Sequence, residues 1–337
     1  MKNLLYIGNN LKSIKSNPSS IQVLGKLFEN EGYKLRYASS YTNKFFRILH
    51  MLWSCMRYSK WADYVVIDTY STQNFYYALC CSQICRLLGI DYVPILHGGN
   101  LPNRLASNPR FSRMIFKHSK KNIAPSLYIK NAFETAGFSN IEFIPNSIEI
   151  NNYQVIAKDF NSIRLLWVRS FSKIYNPQMA IDVLKEVLDL GYKVSLCMVG
   201  PDSDGSLTHL KEKANTENLD VKFTGKLSKP EWITLSKNYN IFINTTNYDN
   251  LPVSLIEAMA LGFPIVSTNV GGLAFLISHC ENGLLVDKND TEAMGKCIVE
   301  LFNNKELRNK LSIDARAKAE TFDWKHTKNK WHKIFEE

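Results

Sequence analysis

The sequence lacks any apolar run long enough to cross a bilayer. Its most apolar stretch, Tyr76 to Leu88, is interrupted by Ser82, Gln83 and Arg86 and falls short of the roughly 20 residues a spanning helix needs. The apolar run within Met1-Lys2-Asn3-Leu4-Leu5-Tyr6-Ile7-Gly8 is too short for the core of an export signal, so none is expected. Cysteine is sparse and unpatterned. The seven residues Cys55, Cys80, Cys81, Cys85, Cys197, Cys280 and Cys297 include no CxxC pair and sit mostly in apolar periodic segments. That predicts buried thiols of a reduced, cytosolic protein rather than a disulfide framework. Neither they nor the seven scattered histidines show zinc-ligand spacing, and no metal site is expected. Low-complexity tracts and short repeats are absent. With 45% hydrophobic and only 21% charged residues, a disordered or fibrous chain is excluded.

What is present is enough chain for two cores. A length of 337 residues exceeds the usual single core of about 100–150, so two lobes are expected. The net charge is +10, and its distribution is uneven: residues 1–150 hold 18 Lys and Arg against 8 Asp and Glu, whereas 151–337 hold 23 of each. Two acid-free stretches carry most of the excess. One runs from Gly32 to Ala62, with Lys34, Arg36, Lys44, Arg47, Arg57 and Lys60; the other runs from Tyr92 to Phe133, with Arg104, Arg110, Arg113, Lys117, Lys120, Lys121 and Lys130. A positive first lobe suits an anionic membrane surface, an anionic acceptor or nucleic acid. The segment Tyr41 to Trp61 places Phe45, Ile48, Leu49, Leu52, Trp53 and Met56 at helical spacing. It reads as a helix covering a sheet, with insertion into a headgroup layer as the alternative.

Short β-rich runs alternate with helical patterns along the first half: Leu4–Ile7, Leu35–Ala38, Tyr64–Ile67, Tyr92–Leu96, Asn122–Ala124 and Glu142–Ile144. After Ile144-Pro145-Asn146-Ser147 and a polar connector the rhythm restarts: Arg164–Val168, Lys193–Val199, Val221–Phe223, Ile241–Asn244, Ile265–Ser267 and Leu284–Val286. Alternation of this kind predicts two consecutive doubly wound α/β domains with parallel sheets. Ligands of such sheets bind beyond the carboxyl ends of the strands.

The most informative segment is Asn244 to Leu273. A strand there empties into a polar loop, and Pro252 stands where a first helical position is expected. The unpaired N–H groups of that helix start favour a phosphate or diphosphate. Glu257 follows in an otherwise apolar helix, where a carboxylate requires partners: sugar or ribose hydroxyls on one reading, local backbone or a lysine on the other. Asp202-Ser203-Asp204 is a D-x-D string but sits in a turn before a helix, and it is read as a turn and cap former rather than a cation site.

Asp249 and Glu257 are separated by seven residues, and the run resembles the E-x7-E signature of retaining, nucleotide-sugar-dependent glycosyltransferases of family 4. The resemblance covers nearly the whole chain and implies the GT-B fold, two Rossmann-like domains facing a central cleft. It implies an acceptor-binding domain over 1–150, a nucleotide-sugar-binding domain over 151–321, and a C-terminal helix over 322–337, beginning at Phe322-Asp323-Trp324, that returns to the first domain. It gives Glu257 the nucleotide ribose and Asp249 the transferred sugar, with Asn250, Leu251 and Pro252 holding phosphate or sugar. Asp249 replaces the family's first Glu, and Phe275 stands where many members have a third acid.

Other matches fall after strands. His97-Gly98-Gly99-Asn100 resembles the turn that sets a His beside the donor sugar. Arg169 and, at an unusually short spacing, Lys173 match cations on the diphosphate. Gly200, Pro201, Lys226 and Leu227 occupy loops that close on the nucleobase in the family, and Gly8 lies in its N-terminal turn. The family's following double glycine is absent, with Asn17-Pro18-Ser19-Ser20 in its place.

These features imply retaining transfer from a nucleoside-diphosphate sugar, UDP- or GDP-linked, to a glycan or lipid-linked acceptor at the cytoplasmic membrane surface. Cationic side chains and the helix start would stand in place of a metal, and no further cofactor is expected. Two alternatives belong to other classes. One is a GT-B-like sugar-nucleotide epimerase or non-catalytic binder, sharing the donor site. The other is a basic nucleic-acid-binding protein, against which stands the lack of any recognised module.

Overall fold

The computed structural model describes residues 2–11 and 19–336; Asn17 and Pro18, at the position of the absent double glycine, lie outside them. Two compact units divide the described chain: residues 2–11, 19–146 and 327–336 form the first, and 147–326 the second. The first contains β1 (Asn3–Ile7), β2 (Lys34–Ala38), β3 (Tyr64–Thr69), β4 (Asp91–Leu96), β5 (Asn122–Ala124) and β6 (Ile141–Phe143). The second contains β7 (Ile163–Val168), β8 (Val194–Val199), β9 (Val221–Gly225), β10 (Ile241–Asn244), β11 (Ile265–Thr268) and β12 (Leu284–Val286). All pairings within both sheets are parallel, as the alternating βα rhythm predicts. Strands covered on both faces become continuous apolar runs. In β3, Tyr-Val-Val-Ile-Asp-Thr, every residue is buried.

Strand order locates the places where ligands can enter. The first sheet runs β2-β1-β3-β4-β5-β6 and the second β12-β11-β10-β7-β8-β9. Connections leave in opposite directions from β1 and β3 in the first sheet, and from β7 and β10 in the second. The crevice beyond the carboxyl ends at such a parting is open because no crossover helix covers it.

Two arginines counted in the basic stretches serve the fold instead. Arg47 is buried, donating Nε to the Tyr41 carbonyl (2.8 Å) and Nη2 to that of Thr42 (2.8 Å). Arg104 donates Nε and Nη2 to the Ser71 carbonyl (3.0 and 2.6 Å) and lies over the Phe75 ring. The helix Lys44–Arg57 starts at Asn43, whose side chain accepts from the Phe45 and Phe46 amides. It buries Met51 and Cys55 in the core and leaves Phe45, Phe46, Leu49, Trp53 and Met56 exposed.

The last helix, Trp324–Glu336, ends within the first unit, where Trp331 and Phe335 meet Phe28 edge-on at 5.2 and 5.5 Å. His332 Nδ1 shares a 2.8 Å hydrogen bond with the Tyr33 hydroxyl, and Lys328 pairs with Glu31 at 3.1 Å. Among the described residues, no helix is long and apolar enough to cross a membrane.

Candidate active site

In the second unit, Arg169 follows β7 and the loop Thr245–Leu251 follows β10, so they lie on the two sides of that sheet's parting point. Buried hydroxyls and amides hold the two loops together. Thr245 Oγ1 accepts the Trp167 indole N–H (3.0 Å) and lies 3.0 and 2.9 Å from the Tyr175 and Asn176 carbonyls. The Asn247 amide donates to the Ile174 carbonyl at 2.7 Å, and its Nδ2 to that of Lys173 at 3.1 Å. This stitching brings Arg169 Nη2 onto Asp249 Oδ2 as an ion pair. Asp249 Oδ1 accepts the Asn250 amide at 2.8 Å. The guanidinium also stacks over the Tyr175 ring, 4.7 Å from its centroid. Its Nε is buried and has no hydrogen-bond partner.

Glycines make the surrounding turns possible by close approach. A Cβ on Gly200 would lie 1.7 Å from the Arg169 carbonyl oxygen, and one on Gly272 would lie 1.7 Å from that of Asn250. Gly200 N–H donates to the Gly225 carbonyl at 2.9 Å, which joins the Gly200-Pro201 turn to the loop carrying Lys226 and Leu227. Leu227 packs against the core of this unit. Asn250 and Leu251 are buried.

Pro252 departs by one position from expectation. It is the residue before the helix Val253–Ala260, with an extended ψ of 118°. Lacking an N–H, it leaves the first free amides to Val253 and its successors. Glu257 is 4% exposed, and Oε1 accepts the Tyr153 hydroxyl (2.7 Å) and the Lys229 ammonium (2.8 Å). Its partners in this structure are therefore protein groups, a lysine among them. Burial, followed by the Glu257 carboxylate, pushes the Tyr153 phenol well above its ordinary pKa, which keeps it a donor.

Lys173 is exposed beside this loop, and its backbone amide donates to Asp204 Oδ2 at 2.8 Å. Asp202 and Asp204 otherwise accept the Gly205 and Ser206 amides, the turn-forming role expected of them. Phe275 is 41% exposed, on the short helix Leu273–Leu276.

In the first unit, His97 follows β4, and its Nε2 lies 2.8 Å from Asp68 Oδ1. The same oxygen accepts the Tyr6 hydroxyl at 3.0 Å, and the His97 ring tilts against Tyr70 with 5.2 Å between centroids. Gly8 closes on the other side: a Cβ there would stand 2.5 Å from Asp68 Oδ2. Sequence reasoning reached Gly8 and His97 but missed Asp68, Tyr153 and Lys229. For Asp68 a signal existed, a lone carboxylate in a strand buried throughout. Tyr153 and Lys229 meet Glu257 only through tertiary packing.

Two six-stranded parallel sheets with these crossovers and flanking helices define the GT-B fold. The chain matches the Anabaena HepE structure in complex with UDP-glucose with a TM-score of 0.81 at 16% identity, over all of both chains. It matches sucrose-phosphate synthase of Thermosynechococcus elongatus equally, at 15% identity over 100% of this chain and 98% of that one. The family "Glycosyl transferases group 1" matches residues 150–318, half the chain, and the protein belongs to that family of glycosyltransferases. An uncharacterised glycosyltransferase of Methanocaldococcus jannaschii is 25% identical over 256 residues, 74% of this chain and 69% of the relative. The Staphylococcus aureus capsular polysaccharide biosynthesis glycosyltransferase CapM is 29% identical over 141 residues, 42% of this chain and 37% of the relative.

Because the contact at Gly272 is with backbone rather than with a yielding side chain, Gly272→Ala should destabilise the second unit by about 1–3 kcal/mol. Chemical denaturation checks this, and an unchanged midpoint would mean that the turn relaxes freely.

Proposed function

We propose that the protein is a retaining glycosyltransferase of family 4 type, moving a sugar from a nucleoside-diphosphate donor, UDP- or GDP-linked, to a hydroxyl of a glycan or lipid-linked acceptor. The observation that carries this reading is Arg169 at the β7/β10 parting, paired with Asp249 and retaining a buried, unpartnered Nε–H. A diphosphate oxygen would satisfy that donor, and the amides opening the helix Val253–Ala260 would take others. Lys173 adds an exposed cation. Negative charge on the departing diphosphate is then stabilised by groups already in place, the largest contribution open to a site of this kind.

In this reading Glu257 holds the ribose through its second oxygen, with Tyr153 and Lys229 fixing the first. Asn250, Leu251 and Pro252 line the phosphate and sugar, and Gly200, Pro201, Lys226 and Leu227 surround the base. Asp249 orients the sugar from the second unit, and His97 is the sugar-contacting residue of the first. The Anabaena neighbour's complex with UDP-glucose supports a donor of this class. Domain roles follow: acceptor in the first unit, donor in the second.

The acceptor's setting is the surface of an anionic membrane in cell-surface polysaccharide or glycolipid assembly. What favours it is the exposed stripe Phe45, Phe46, Leu49, Trp53 and Met56, 65, 57, 45, 49 and 51% exposed. Exposed Lys44, Arg57 and Lys60 accompany it, with no acid on that helix. Aromatic rings bury at the headgroup boundary while the cations meet lipid phosphates.

Three outcomes test these assignments. Thermal unfolding with UDP-, GDP-, dTDP-, ADP- and CMP-sugars should show stabilisation by one nucleotide class, about 2.7 kcal/mol at 100 times its Kd, and Glu257→Ala should abolish it. No shift with any sugar nucleotide would remove the donor reading. Arg169→Ala should lower the rate of acceptor-dependent nucleotide release by about 100- to 1,000-fold, and that release should persist in a chelator. Binding to phosphatidylglycerol vesicles should fall at least tenfold in a Phe45→Ser/Trp53→Ser variant, since each lost ring forfeits about 1.5–3 kcal/mol of burial. It should also weaken with salt. Equal binding by the variant would place any membrane contact elsewhere.

A further inference from the structure

Arg169 stands at the β7/β10 parting already neutralised. Its Nη2 donates to Asp249 Oδ2, and the two side chains, 13 and 16% exposed, cancel in charge. The carboxylate is held from several sides. Asp249 Oδ1 accepts the Asn250 amide at 2.8 Å, and the Asp249 carbonyl accepts the Gly272 amide at 3.1 Å. Gly271 lies so close over that carbonyl that no side chain fits between them. The guanidinium is fixed as well, with its face on the Tyr175 ring and its Nε buried without a partner.

Nε and Nη2 belong to one rigid planar fork. An anion that takes the free Nε therefore lies within a few ångströms of the Asp249 carboxylate, in partly buried surroundings where charges are poorly screened. The cost of that approach grows with the charge of the anion. A terminal phosphate carries about 1.5 to 2 negative charges at neutral pH, because its second proton is lost near about pH 6. A phosphate esterified on both sides has no second proton to lose and carries a single charge. The neighbouring cation of this loop, Lys173, is exposed, and screening by water leaves it a weak discriminator between the two.

We propose that Asp249 is a specificity-determining residue that sorts diphosphates by charge. Held against Arg169, its carboxylate admits a phosphate esterified to a sugar and disfavours a free terminal phosphate, so the intact donor is favoured over the nucleoside diphosphate left after transfer. This deepens the donor reading and rests on it for the nucleotide; the sorting itself is measured on binding alone. A residue that only contacted the sugar would leave the affinity for a nucleoside diphosphate unchanged when replaced, and one that only held the loop together would lower it.

Titration calorimetry of the whole protein with UDP, GDP, the β-methyl ester of each and inorganic pyrophosphate, at about pH 8 where terminal phosphates are fully ionised, separates these roles. The wild type should bind the methyl ester at least as tightly as the parent nucleotide, a comparison of charge without any sugar. Asp249→Asn keeps the shape and removes the charge. It should bind the parent nucleotide about tenfold or more tightly than the wild type does, with a smaller gain for the ester. A wild type that favours the parent nucleotide over its ester, or an Asp249→Asn affinity for the parent nucleotide that is unchanged or lower, would overturn the proposal. If Asp249→Asn does not fold, the wild-type comparison decides the matter. Pyrophosphate bound more tightly by the variant, with no response of either protein to any nucleotide, would sustain the sorting by charge and overturn the donor reading alone.

Discussion

The Arg169–Asp249 ion pair is the contact around which the second unit's polar groups are arranged. It exists because β7 and β10 lie side by side with their onward connections diverging, so that two loops far apart in sequence end at one place. Neither residue holds this position alone. Trp167, Thr245 and Asn247 bind one loop to the other, and the Tyr175 ring supports the guanidinium from its face. The glycine at 200 and the pair at 271 and 272 let backbone lie on backbone at distances that a methyl group would prohibit. A partly buried pair of this kind contributes little net stability, because desolvation offsets much of the attraction. Its value is positional, holding a cationic fork at a fixed point.

The same topological reason operates in the first unit with different chemistry. There the parting lies between β1 and β3, and the groups collected are a carboxylate, an imidazole and a phenol around a glycine. One unit thus gathers a guanidinium, a carboxylate and backbone amides, and the other a carboxylate hydrogen-bonded by an imidazole and a phenol.

Much of the fold was legible in the chain. The twelve strands of the described residues lie where β-rich runs alternate with helical patterns, because a parallel sheet covered on both faces demands continuous apolar strands. Shifts in strand ends are confined to a residue or two, where fraying makes boundaries soft. The helix start near Pro252 and the turn-forming aspartates at 202 and 204 were legible for the same reason: each is a local hydrogen-bond requirement met by residues within a few positions. The charge asymmetry was legible as a sum but not as a surface, since Arg47 and Arg104 are spent on carbonyl groups inside the first unit.

Sequence by itself determined the parallel α/β class, the glycines that permit close turns, and a set of chemically apt residues at strand ends, because those depend on periodicity and on single-residue sterics. Only the tertiary structure decided which of them meet. Asp68 joins His97 across 29 positions, Arg169 joins Asp249 across 80, and Tyr153 reaches Glu257 across 104. No local rule couples residues at such separations; strand order does, because it fixes which loop ends share a crevice.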